Sequence, residues 1–156
     1  MFKSRRKFIK QMLFIGASGL TIASGMLRSS LAYAQWPKQN YIPRSYPDTL
    51  RHLFKNAEFI PSKKIKLGRL PHVAENGAVV PISVTSTLKN VNKIYILVEN
   101  NPFPLIAEFY LSPAVVPHVT ARIRMAKTSK VIILVEADGI IYHKSKKVKV
   151  AKGGCG

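Results

Sequence analysis

The sequence predicts an all-β fold, an immunoglobulin-like antiparallel β-sandwich with a short N-terminal helix and a flexible C-terminal arm. Three observations predict it. From Pro61 onward, apolar and polar residues alternate at period two, as they do in half-buried strands. Turns rich in Asn, Pro and Gly cut this pattern into seven or eight short runs. Ahead of them, Leu50, Leu53, Phe54 and Ala57 recur at helical spacing. The Cys-Trp-Cys signature of antibody domains is absent, so the analogy is one of architecture alone.

Residues 1–34 read as an export signal. The basic stretch Ser4-Arg5-Arg6-Lys7-Phe8-Ile9-Lys10 precedes Met12 to Leu27, which carry no charge. That run is shorter than the ~18–20 residues of a spanning helix and is diluted by Gly and Ser, which argues against a stable membrane anchor. Ala32-Tyr33-Ala34 supplies the small-x-small cleavage pattern, with Gln35 as the mature start. The pair Arg5-Arg6 followed by Phe8-Ile9-Lys10 resembles the twin-arginine motif, which implies export of a folded protein to the periplasm.

Residues 35–60 form a lead-in with Pro37, Pro43 and Pro47, then a short amphipathic helix from Asp48 to Ala57 with Asp48 as its N-cap. The sandwich is expected over 61–150. Its runs are Ile65–Leu67, Val80–Thr85, Lys93–Asn100, Ile106–Leu111, His118–Met125 and Val131–Ala137. Asp138-Gly139 is a hairpin turn signal before Ile140–Tyr142, and Val148 and Val150 make a last short strand.

Charge is the loudest feature of the composition. The 156 residues hold 25 Lys plus Arg against 7 Asp plus Glu, a formal charge of +18. Six of the cations belong to residues 1–34, which leaves 19 against 7 and a mature charge of +12. Lys63, Lys64, Lys66 and Arg69 crowd the first strand, and Lys144, Lys146, Lys147, Lys149 and Lys152 the last. Edge lysines prevent sheet-to-sheet aggregation, so a solvated edge is the first reading of them, and attraction of an anion or an acidic partner is the second. Only Tyr142 lies among the C-terminal cations, which is too few aromatics for nucleic acid.

Enzymatic and metal chemistry have little to work with. His52, His72, His118 and His143 lie on separate elements without ligand spacing, and one cysteine excludes a multi-Cys site. No metal or cofactor is therefore expected. The acids Asp48, Glu58, Glu75, Glu99, Glu108, Glu136 and Asp138 have no recognisable catalytic partner.

The chain ends in Gly153-Gly154-Cys155-Gly156, within a carrier arm over 151–156. A lone thiol in an exported protein is liable to oxidation and needs a reason to be there. Glycines strip away neighbouring side chains and free the backbone, so the strip can be threaded into a narrow site on another protein. From Ala151 it spans at most ~20 Å at ~3.3–3.6 Å per residue.

Several segments together resemble the SoxY family. They are Val73-Ala74-Glu75-Asn76-Gly77-Ala78-Val79-Val80-Pro81-Ile82-Ser83-Val84, Asn101-Pro102, Phe109, Arg122-Ile123-Arg124-Met125-Ala126, and Val148-Lys149-Val150 with the Gly-Gly-Cys-Gly end. The resemblance covers about residues 60–156. It implies a periplasmic carrier that holds sulfur intermediates on Cys155, with Gly153, Gly154 and Gly156 giving the arm its slenderness. It also implies a SoxZ-like subunit as heterodimer partner, a thiosulfate-coupling haem protein, a dimanganese sulfate-releasing hydrolase and, where present, a sulfane dehydrogenase. The chain itself would be a loaded substrate of these enzymes rather than an enzyme. The family usually has two glycines after the cysteine, whereas only Gly156 follows here. The rival readings are a thiol sulfurtransferase, a non-covalent anion- or partner-binding module, and a structural disulfide link through Cys155.

Overall fold

The computed structural model describes residues 37–55 and 57–153. The chain divides into two units, Met1–Trp36 and Pro37–Gly156, and every described residue belongs to the second. A 3-10 turn at Lys38–Tyr41 leads to helix α1 (Tyr46–Phe54). Nine strands follow among the described residues: β1 (Phe59–Pro61), β2 (Ile65–Gly68), β3 (Val73–Asn76), β4 (Val80–Ser86), β5 (Val91–Val98), β6 (Leu105–Tyr110), β7 (His118–Ile123), β8 (Ser129–Ala137) and β9 (Ile140–Lys152). They build the two sheets of a sandwich.

The small sheet has the antiparallel order β2-β4-β7. The large sheet runs β1-β9-β8-β5-β6, and β3 also pairs with β9. Both β1 and β3 lie parallel to β9, at Ile141–His143 and Lys149–Lys152 respectively. These two pairings supplement an otherwise antiparallel frame.

Burial follows the hydrophobic pattern. Val80, Ile82 and Val84 of β4 turn inward with Val119 and Ile123 of β7, against Ile94, Ile96, Val131, Ile133 and Val135 of the large sheet. Strands β5 and β8 are apolar almost throughout, because their other face is covered too. There Tyr95, Leu97, Ile132, Leu134 and Ile141 pack against Tyr46, Leu50, Leu53, Phe54 and Phe59. The Phe54 ring meets Phe59 edge-on at 5.6 Å and Tyr95 at 4.9 Å. The helix is thus a third layer, and burial followed by the nearby Glu136 charge pushes the Tyr95 hydroxyl above the usual tyrosine range.

Local differences from expectation have simple causes. The helix begins two residues before Asp48 and ends at Phe54, with Ser45 as N-cap accepting from the Asp48 N–H at 3.3 Å. Pro47 fits the first turn because its missing N–H is not needed there. Asp48 instead sits inside that turn, where a carboxylate favours the helix dipole, and pairs with Arg51 at 2.7 Å. The expected short strands at Ile140–Tyr142 and Val148–Val150 are one strand of 13 residues, since β8 pairs continuously from Ser129 to Ala137. The turn between them has Asp138 and Gly139 at φ 53° and 75°, as a primed hairpin turn requires.

The lysine-rich edge is also less solvated than its composition implies. Lys144 Nζ donates to the Ile65 carbonyl at 2.8 Å and Lys146 Nζ to the Leu70 carbonyl at 2.6 Å. These bonds lie along the stretch of β9 between its pairings with β1 and β3.

Candidate functional site: the root of the C-terminal arm

Strand β9 carries the chain to Lys152 and Gly153, the last described residue. Gly154, Cys155 and Gly156 lie outside the described residues, as do Arg5 and Arg6 of the export signal. The site in view is therefore the root from which the arm departs.

Three separate segments converge on it. Beyond Asn76, which pairs with Lys152, the buried Gly77 donates its N–H to the Lys152 carbonyl at 2.8 Å. The Gly77 carbonyl accepts from the Met125 N–H at 2.7 Å. Met125 itself is fully buried. The Asn101 side chain then grips the same segment, accepting from the Ala126 N–H at 2.9 Å and donating to the Arg124 carbonyl at 2.7 Å. Past the last β8 pair, Thr128 Oγ1 accepts the Val150 N–H at 2.9 Å and stands in for a strand partner.

Gly153 closes the arrangement. A Cβ at this position would lie 2.3 Å from the Ala126 carbonyl oxygen, far inside van der Waals contact. Its glycine thus permits close approach, whereas the sequence alone suggests free rotation. The arm's first glycine is a packed one.

The described contacts at the root hold backbone in place. Among the described residues, no group of three or more His, Cys, Asp or Glu is placed to hold a metal. His118 lies between Thr85 Oγ1 at 2.8 Å and Thr120 Oγ1 at 3.2 Å, on the outer face of the small sheet. His52 meets Asn40 at 3.3 Å on the helix side. Glu108 accepts from the Tyr110 hydroxyl at 2.8 Å and Glu136 from the Tyr95 hydroxyl at 3.3 Å, both structural contacts. A cleft of about 460 Å³ opens beside Asn101, between Arg44–Pro47 and Glu99–Pro102.

A family model described as "Sulfur oxidation protein SoxY" matches residues 50–155. The chain belongs to the SoxY family. The solved structure of the sulfur carrier protein SoxY from Chlorobium limicola f thiosulfatophilum is 34% identical, with a TM-score of 0.61 over 66% of this chain and 89% of that one. A variant superoxide reductase (neelaredoxin) from Ignicoccus hospitalis is 16% identical, with a TM-score of 0.50 over 56% of this chain and 79% of that one, a likeness of fold alone. No curated protein sequence matches the chain.

Within this SoxY-family chain, several of the segments that carried the resemblance meet in space, while Phe109 lies apart on β6. Glu75-Asn76-Gly77, Asn101-Pro102, Arg124-Met125-Ala126 and Val148–Val150 all border the arm's root. Beyond its place in the resemblance, Asn101 has no role that the sequence alone assigns. Its signal is the Asn-Pro pair at a turn, which marks a backbone-binding side chain but not the segment bound.

Proposed function

We propose that this chain is a sulfur carrier that holds its cargo covalently on Cys155. The observation that supports this best is the SoxY-family match, which runs through the domain to residue 155 and so includes the thiol. The 34% identity to a sulfur carrier protein agrees with it.

The chemistry balances with one thiolate. Oxidative coupling joins the Cys155 thiolate to the sulfane sulfur of thiosulfate, giving Cys–S–S–SO3⁻ and releasing two electrons to a haem partner. Water then attacks the sulfone sulfur in a dimanganese hydrolase, releasing sulfate and two protons and leaving a Cys–S–S⁻ persulfide. A sulfane dehydrogenase, where present, oxidises the remaining sulfur. This chain supplies the thiol and its rooted tether. A SoxZ-like subunit completes the heterodimer, and the Arg5-Arg6 signal sends the folded chain to the periplasm.

Intact-mass spectrometry of protein incubated with thiosulfate and its coupling enzyme should show thiosulfonate and persulfide adducts on Cys155. A Cys155→Ser chain that still supports thiosulfate oxidation would refute the reading. Deleting residues 151–156 separates it from a non-covalent binding module, which would keep its activity.

A further inference from the structure

We propose that the outer face of the small sheet docks an acidic protein surface, with a partner carboxylate seated between Arg69 and Arg122. The proposal rests on the carrier reading only for who visits, namely a protein that works on the arm.

Strand alternation separates the two faces of this sheet. Its inner face is the apolar core, while Lys66, Thr85, His118, Thr120 and Arg122 turn outward at paired positions. The middle of the outer face is low. A Cβ on Gly68 would come within 2.6 Å of Ser83 Oγ, so this position of β2 carries no side chain. Beside it a cleft of about 430 Å³ is lined by Arg69, Pro81, Thr120, Ala121 and Arg122. Arg69 holds a left-handed backbone at φ 54°, an uncommon conformation for a residue with a side chain.

The charge on this face has one sign. None of the chain's seven acidic side chains lies on β2, β4 or β7. Asp48, Glu58 and Glu75 belong to α1, the approach to β1, and β3; Glu99, Glu108, Glu136 and Asp138 lie on or beside the large sheet. Among the described residues, neither Arg69 nor Arg122 forms an ion pair. A single-signed face attracts its opposite and orients the encounter, and a guanidinium recognises a carboxylate in bidentate fashion.

Position gives the charge its use. Beyond Arg122, β7 leads straight to Met125 and Ala126, on which Gly153 packs. A protein docked on the outer face therefore has the origin of the arm at its border.

The test uses the full mature chain and a fluorescent hexaglutamate peptide, read by anisotropy at low salt. An Arg69→Ala/Arg122→Ala chain should bind about tenfold more weakly, while Lys147→Ala/Lys149→Ala, with the same charge removed from β9, should change affinity by less than about twofold. Arg122→Glu alone provides a second variant should the double change disturb the fold. Amide shift changes on titration should cluster on β2, β4 and β7. Equal weakening by both double variants, or shifts spread along β9, would overturn the proposal. Cys155→Ser should bind the peptide as the parent does, so the docking face is judged apart from the thiol.

Discussion

Lys146 donates a 2.6 Å hydrogen bond to the carbonyl of Leu70, reaching from the large sheet to the chain that follows β2. A lysine that satisfies a backbone acceptor in a half-buried setting differs from one that merely guards an edge. Lys146→Met keeps the aliphatic stem and removes the donor, so it should cost about 1–2 kcal/mol. Its neighbour Lys147 is exposed, and Lys147→Met should stay within about 0.5 kcal/mol. Urea denaturation of the two variants measures the difference.

Asn101 links two backbone groups of the Arg124–Ala126 segment with one side chain. Asn101→Ala leaves the Ala126 N–H and the Arg124 carbonyl without it and should cost about 1–3 kcal/mol. Hydrogen exchange at the Ala126 amide should accelerate with it. Unchanged stability and protection would remove Asn101 from the account of the root.

Gly153→Ala places a methyl group against the Ala126 carbonyl oxygen. Since Gly153 follows the last residue of β9, the strain is relieved by lifting the root rather than by unfolding the sandwich. The Gly77 amide, bonded to the Lys152 carbonyl, should then exchange about tenfold faster while the melting temperature barely moves. Loss of sulfur loading with native Gly77 protection would place the glycine's role elsewhere.

Tyr95 titrates above the ordinary tyrosine range because burial, and then the Glu136 charge, disfavour its phenolate. Its contribution is fully present below about pH 10, the unfolded value, and is lost as pH rises toward the raised folded value. Between these limits the loss is at most about 1.4 kcal/mol per pH unit. Tyr95→Phe should flatten the decline of stability above pH 10, measured by urea titration at several pH values. A slope equal to that of the parent would show that other groups control the alkaline limb.

The sandwich was legible because alternation at Val80–Val84 and His118–Ile123 can arise only from one buried and one exposed face. The near-continuous apolar run of β8 marked burial on both faces, but not that α1 covers one of them. Strands β1 and β3 are not legible because, unlike Ile65 and Leu67 of β2, they show no clear alternation, and their pairing with β9 depends on distant sequence. At the site, the glycines of the end were visible, yet free rotation and close approach both call for glycine. Only the neighbourhood of Ala126 distinguishes them at position 153.

The unbroken run of β9 has a mechanical consequence. A partner that tugs on the C-terminus pulls along the strand axis, and the ladder hydrogen bonds to β8 lie across that pull. Bonds loaded in shear share the force and yield together, unlike those of a hairpin peeled open one pair at a time. Under such a pull the sandwich resists as a unit, because the ladder pairs from Ser129–Val148 to Ala137–Ile140 carry the load together.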